Sequence, residues 1–432
     1  MKLFRNKDAA AMFLIMEGIV YTMIINLTVP FTQMFAKRMG GSDLHTALLN
    51  AVPPLVAIFT LIPCGMLIER INKKKQTVLY LLCIVSVFYA AIAFVPMIPH
   101  EGKVLAFVVL IGLMNWPGAL YLTTWQSYFA DNFRGSYANR VYTVRSRFSA
   151  LFGLLTVLVT GILLTYIPKS DGERLILYQI FYGICFLLTI VQITFFSRAK
   201  SRKWRHTDIS EREKHDVKPS HLTLKDTFAG MLRNKRYLIF CICGFVFHFS
   251  WQMAWPIFFI YNSNYMYLNE FQFGLLNVAV GAAQFLSLTM WNKLIEKMGS
   301  NRILIFGATG LALIPLFYSM LLSFPVLIIM NIASGVFLAG FNLTLFLSLL
   351  DTLPKEKKTV YISVFNTITS ITGFFAPLTG LWLYNRTNIF LAMAISGLLR
   401  LFGSLLYYLR WRKSKAERTE KSQSEMPTNL TV

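Results

Sequence analysis

Only 20 of the 432 residues are acidic, so an acid inside a long apolar run is the first place to look for chemistry. Glu17 is one: it lies nine positions past Asp8 in the run that reaches Val29, which at about 1.5 Å per helical residue puts it roughly 13 Å deep in a bilayer. A carboxylate there is costly as an ion, and an intramembrane ionisable group is read first as functional. Taking up a proton removes the cost, so Glu17 is the candidate for proton coupling; the plainer alternative is a hydrogen-bonded structural glutamate.

Other polar residues recur at helical spacing within apolar runs. Glu17, Tyr21, Ile24 and Thr28 form one stripe; His248, Gln252 and Trp255 form a second. Asn277, Gly281 and Gln284 align on a third helix, and Asn331, Gly335 and Asn342 on a fourth, while Asn115 stands in another apolar run. Such stripes are expected to face an interior cavity rather than lipid. For any one Asn or Gln, a hydrogen bond to a neighbouring helix is the competing reading. His248 divides between a core hydrogen bond and a titrating or substrate-binding role. Arg400 lies near mid-depth in the last run, where pairing or snorkelling competes with substrate contact. Arg145 and Arg147 open a run and either snorkel inward or anchor a cytoplasmic gate. Trp116, Trp125, Trp251 and Trp255 divide between an aromatic site and packing or an interfacial belt.

These residues need elements to position them, and composition says which. Hydrophobic residues make up 55% of the chain and charged ones 14%, against about 25% charged in a soluble globular protein. The solvent is therefore lipid. Apolar runs near the ~20 residues needed to span a bilayer fall at 9–33, 45–68, 77–97, 104–129, 143–166 and 175–197, then at 237–261, 271–291, 302–322, 325–350, 359–384 and 388–410. The first of these reads as a span rather than a signal peptide, because it is long and lacks a clear cleavage site. The five Cys fall inside apolar runs and imply neither a disulfide framework nor a metal site.

The expected organisation is a six-helix bundle at 1–197, a basic cytoplasmic linker at 198–236, a second bundle at 237–410, and a polar, basic tail at 411–432, expected to be disordered. The net charge of +22 would suit nucleic acid, but its distribution excludes that partner, since the basic residues sit in short segments between spans. With the N-terminus inside, 35 of the 42 Lys and Arg fall in cytoplasmic segments and six in outer loops. Positive residues are retained in the cytoplasm, so both termini are expected there.

The chain also repeats itself. Leu-Leu-Asn begins at Leu48 and at Leu275, and nineteen positions after each Asn come Glu69-Arg70 and Glu296-Lys297. Pro30 pairs with Pro256, Asp131 with Asp351 and Gly153 with Gly373 at nearly the same offset. Six spans separate the copies, so they share one orientation in the membrane.

The six-plus-six pattern and basic central loop resemble the major facilitator superfamily. Gly65-Met-Leu-Ile-Glu69-Arg70-Ile-Asn72-Lys73-Lys74 is similar to its signature between helices 2 and 3, Gly-x-x-x-Asp-Arg-x-Gly-Arg-Arg, with Glu for Asp and Asn for Gly. Asn292 to Arg302 carries the second copy and keeps the later glycine, Gly299; Asp131-Asn-Phe-Arg134-Gly135 with Arg140 looks like the family's loop 4–5. The resemblance implies an all-α, twelve-helix transporter of two six-helix bundles, with a central site and alternating access. It also implies a cytoplasmic gate in which Gly65, Glu69, Arg70, Asp131, Arg134, Arg140, Glu296, Lys297 and Asp351 take part, through ion pairs made in one conformation and broken in the other. The proton-coupled drug exporters of the family carry an Arg in helix 4 and Gly-Pro-x-x-Gly-Gly in helix 5; neither is present here.

Phosphate-binding, zinc-protease and nucleophile-elbow motifs are absent from the sequence, which weighs against an ATP-driven pump or a hydrolase. The expectation is a monomeric secondary transporter of the cytoplasmic membrane. It moves a small organic solute, inward or outward, on a proton or Na+ gradient and uses no other cofactor. A flippase for a lipid or lipid precursor is the alternative, and a membrane-embedded enzyme or receptor a distant third.

Overall fold

In lipid every backbone N–H and C=O must be satisfied within the chain, which leaves an apolar span one main solution, the α-helix. The computed structural model describes residues 9–70, 73–99, 102–133, 135–199, 233–320, 323–354 and 358–424. Over them run twelve long helices. The first, α1, is Ala9–Thr28, continued after one tight turn (Val29–Phe31, with Pro30) by Thr32–Arg38. There follow α2 (Asp43–Arg70), α3 (Lys74–Phe94), α4 (Lys103–Asn132), α5 (Gly135–Tyr166) and α6 (Asp171–Arg198). After the linker come α7 (Lys235–Ile260), α8 (Glu270–Met298), α9 (Ser300–Tyr318), α10 (Phe324–Leu350), α11 (Lys358–Arg386) and α12 (Ile389–Ser424). Among the described residues, eleven of the helices are long and apolar enough to cross a membrane; the other, α2, has 28 residues.

Two boundaries differ from the reading of the sequence. Helix 5 was expected from residue 143, yet α5 starts at Gly135, so Arg140, Arg145 and Arg147 are all helical. The tail was expected to be disordered past Trp411, but α12 continues to Ser424. Lys413 to Ser424 contains neither Gly nor Pro, and eight of its twelve residues are Lys, Glu, Arg, Ala or Gln, all good helix formers.

The described residues fall into two compact units. The first takes those of Met1–Met231 and Asn262–Val278, the second those of Leu232–Tyr261 and Ala279–Val432. In the first, α1 packs along α5 and α6, α3 along α4 and α6, and α2 along α4. In the second, α7 packs along α11 and α12, and α9 along α10 and α12. Four pairings thus recur six helices later, the packing counterpart of the sequence repeat. The matched asparagines behave alike too: Asn50 Nδ2 donates to Thr46 O at 3.2 Å and Asn277 Nδ2 to Phe273 O at 2.9 Å. Gly299, retained in the second copy of the loop signature, turns the chain into α9 at φ +81°, a conformation that side chains disfavour.

Candidate functional site

Glu17 is fully buried, 0% exposed, at the junction of two apolar clusters. Toward the N-terminal end of α1, Leu14 belongs to one cluster with Leu81, Tyr121, Trp125 and Phe196; toward the other end, Val20 and Ile24 belong to another with Phe35, Phe107 and Tyr182. Four helices supply the polar lining of the gap between them. Tyr121 of α4 donates its hydroxyl to Glu17 Oε1 at 2.5 Å, and Gln192 of α6 donates Nε2 to the same oxygen at 2.8 Å. Gln192 Nε2 also lies 2.9 Å from the Tyr121 oxygen. Arg145 of α5 reaches Glu17 Oε2 with Nη2 at 3.2 Å, and its guanidinium lies 4.0 Å over the Trp125 ring. The pair sums to zero charge, which is what makes burial tolerable, while the hydrogen bonds satisfy the remaining lone pairs.

Beside this network the first unit carries an open cavity of about 560 Å³, lined from α1, α2, α3, α4 and α6. Tyr121 and Gln192 belong to both the network and the cavity wall. Two residues singled out in the sequence, Tyr21 and Asn115, line the same space, and the Tyr21 ring packs against Tyr121 at 5.4 Å. The cavity and its neighbouring ion pair therefore gather Glu17, Tyr21 and Asn115 in one place.

The other candidates lie elsewhere. His248 is buried in the second unit among the rings of Phe247, Trp251, Phe341 and Phe365, and its Nε2 has no hydrogen-bond partner among the described residues. Gln252 donates Nε2 to Thr369 O at 3.2 Å, and Trp255 stands edge-on to Trp251. Gln284 is half-buried and Asn342 exposed. Arg400 is 1% exposed and donates to the carbonyls of Leu311 (2.9 Å) and Trp251 (3.3 Å). Leu311 lies four residues before Pro315 inside α9, so proline has removed the N–H its carbonyl would accept. Arg400 supplies the missing donor.

Of the gate candidates, Asp131 pairs with Lys74 at 2.7 Å across α3 and α4. Arg140, Glu296 and Lys297 are exposed, and Asp351 lines a small pocket with Arg236 and Arg410. Gly65, Glu69 and Arg70 lie on the backbone of α2, but their side chains fall outside the described residues, as does Arg134 altogether. Reading the sequence also passed over a charge cluster in the first unit. Glu270, 0% exposed at the start of α8, takes Arg38 Nε at 2.9 Å and lies 3.7 Å from Arg174 Nε, while Asp171 bridges both arginines at 3.1 and 2.6 Å. In the sequence Arg38 and Arg174 count only among the outer-loop charges, and Asp171 and Glu270 are not singled out. Glu270, an acid at the mouth of an apolar run, was the signal available.

Twelve membrane-length helices, a repeated packing pattern and buried polar groups within apolar bundles define the chain as a polytopic carrier. Residues 13–244 and again 240–431 match the Major Facilitator Superfamily, and the chain belongs to that family. It is a multi-pass membrane transporter and not an enzyme. The fold resembles that of the nucleoside transporter NupG, with a TM-score of 0.68 at 10% identity, covering 93% of this chain and 99% of that one. The D-xylose-proton symporter gives 0.68 at 12% identity over 93% and 96% of the two chains. A bacterial homolog of the human lysosomal transporter Spinster gives 0.67 at 11% identity, covering 95% and 98%. No curated protein matches the sequence.

Proposed function

We propose that this chain is a secondary transporter that moves a small organic solute across the cytoplasmic membrane, with Glu17 as the proton-carrying group. The observation that carries the reading is the ion pair of fully buried Glu17 with largely buried Arg145, the glutamate held by two residues that also wall the cavity. A proton arriving at Glu17 cancels its charge and leaves Arg145 without a counter-ion. The two protonation states therefore favour different arrangements of α1 and α5, and a transport cycle needs such a differential interaction. Rocking of one helix bundle against the other would expose the site to each side in turn. The amides and hydroxyls set in the mostly apolar wall favour a water-soluble cargo over a lipid, and the small-solute carriers that share the fold support the same ranking. Both termini face the cytoplasm in this reading, and the working unit is a monomer.

Glu17→Gln is the test. The amide keeps an acceptor for Tyr121 and Gln192, and Arg145 keeps the Trp125 face, so the variant should fold. Expected is loss of proton-gradient-driven transport in proteoliposomes, with thermal unfolding still cooperative. Transport that retains its ordinary pH dependence would remove Glu17 from the mechanism.

A further inference from the structure

The cavity of the first unit has a lining of one chemical kind. Among the described residues, no charged side chain contributes to its wall. The polar groups are the amides of Gln33, Asn50, Asn115 and Gln192 and several hydroxyls, set among apolar side chains such as Ile24, Leu82, Val85 and Met114. Many of these groups already spend their protons locally. Thr28 donates to Ile24 O, Thr32 to Thr28 O, Thr189 to Cys185 O, and Asn50 to Thr46 O. The three threonines therefore offer the cavity oxygen lone pairs, while Asn50 keeps a second amide N–H beside its carbonyl. The Asn115 amide and the Tyr21 hydroxyl make no hydrogen bond among the described residues, so both remain able to donate as well as accept.

Glu17 and Arg145, beside the cavity, are committed to each other while Glu17 is ionised. While that pair is intact, a charged ligand entering this space would give up water and find no free counter-charge, which disfavours it against a neutral one. A neutral molecule bearing hydroxyl, amide or carbonyl groups would meet both donors and acceptors, with apolar walls for its carbon skeleton. At about 560 Å³ the cavity lies within the range of small-molecule sites.

We infer that this cavity, within the first unit alone, is a binding site for an uncharged, hydrogen-bonding organic solute, selected against ions of either sign. The inference rests on the transport reading for its purpose, though its geometry stands apart from whether Glu17 carries a proton. Occupancy would bear directly on Tyr121 and Gln192, the two wall residues that hold Glu17.

The test places a reporter thiol in the wall. In the full chain with its five native cysteines replaced by serine, Asn115→Cys and Gln33→Cys are treated in membranes with methanethiosulfonates of matched size. One reagent carries a neutral hydroxyethyl group, one a trimethylammonium and one a sulfonate. Rates are normalised to Thr387→Cys, an exposed position between α11 and α12. The neutral reagent should react at least about tenfold faster than either ion, the factor that ~1.4 kcal/mol of discrimination gives. Charged reagents of either sign reacting as fast as the neutral one would overturn the inference. So would a folded protein in which neither thiol reacts with the neutral reagent. Using two positions guards against one variant failing to fold, and cooperative thermal unfolding identifies those that do fold. None of these outcomes depends on proton movement, so they separate this inference from the role given to Glu17.

Discussion

Glu17 and Arg145 stay together partly because of the residue between them. A Cβ on Gly18 would fall 2.2 Å from Arg145 Nε and 2.7 Å from its Cγ, so the whole side chain, and not only its tip, would have to move. Gly18→Ala should therefore pull Arg145 away from Glu17 without altering either charge, at a cost of about 1–3 kcal/mol typical of overpacking. The expected result is a lower unfolding midpoint and weakened gradient-driven transport; wild-type stability and rate together would show that Arg145 does not rest there. The pair itself is open to a double-mutant cycle. Glu17→Gln leaves Arg145 unmatched, Arg145→Met leaves Glu17 unmatched, and the double variant leaves neither. The two single losses should exceed the double by a coupling on the order of 1–3 kcal/mol, measured by chemical or thermal unfolding in one detergent. Additive losses would mean that the two groups do not interact.

At the scale of the helix, α9 and α12 are joined through a defect. Pro315 strips the Leu311 carbonyl of its helical donor, and Arg400 replaces it from the neighbouring helix. Arg400→Met should cost about 1–3 kcal/mol, the usual consequence of stranding a buried acceptor. In a Pro315→Ala background, residue 315 regains an N–H, and the cost of Arg400→Met should shrink; an unchanged cost in unfolding measurements would refute the link. The sequence made Arg400 visible but not its partner, because hydropathy reports depth and not the rotation of one helix against another. Glu17 was found by the same depth argument, whereas Tyr121 and Gln192 were missed. They come from α4 and α6, and only packing turns them toward α1. Arg145 was read as the start of a span for a related reason: a charge ends an apolar window, so the hydropathy limit was drawn at 143 although the helix begins at Gly135. Charges buried by pairing look like boundaries until the partner is known.

Over the whole molecule, the repeat and the charge asymmetry were the most legible features, since both are summed over many residues and tolerate local error. The repeat reappears in four helix pairings and in the matched Asn50 and Asn277 bonds. Charge asymmetry leads to an orientation. Cytoplasmic retention of Lys and Arg is worth most near the ends of short loops, and the turns from α2 to α3 and from α8 to α9 are short and basic, with Lys73 to Lys75 in one and Lys293, Lys297 and Arg302 around the other. The turn from α11 to α12 carries only Arg386. Lys297 and Thr387 are both exposed, one at each kind of turn. As single cysteines in the cysteine-free chain they should respond oppositely to a membrane-impermeant maleimide. In right-side-out vesicles Thr387→Cys should be labelled and Lys297→Cys protected, and in inverted vesicles the pattern should exchange. Because six helices separate the two halves, one wrong assignment cannot invert a single bundle without inverting the other. The reverse pattern would therefore place both termini and the basic linker outside, and with them the gate that the family resemblance implies around Glu69, Arg70 and Asp131.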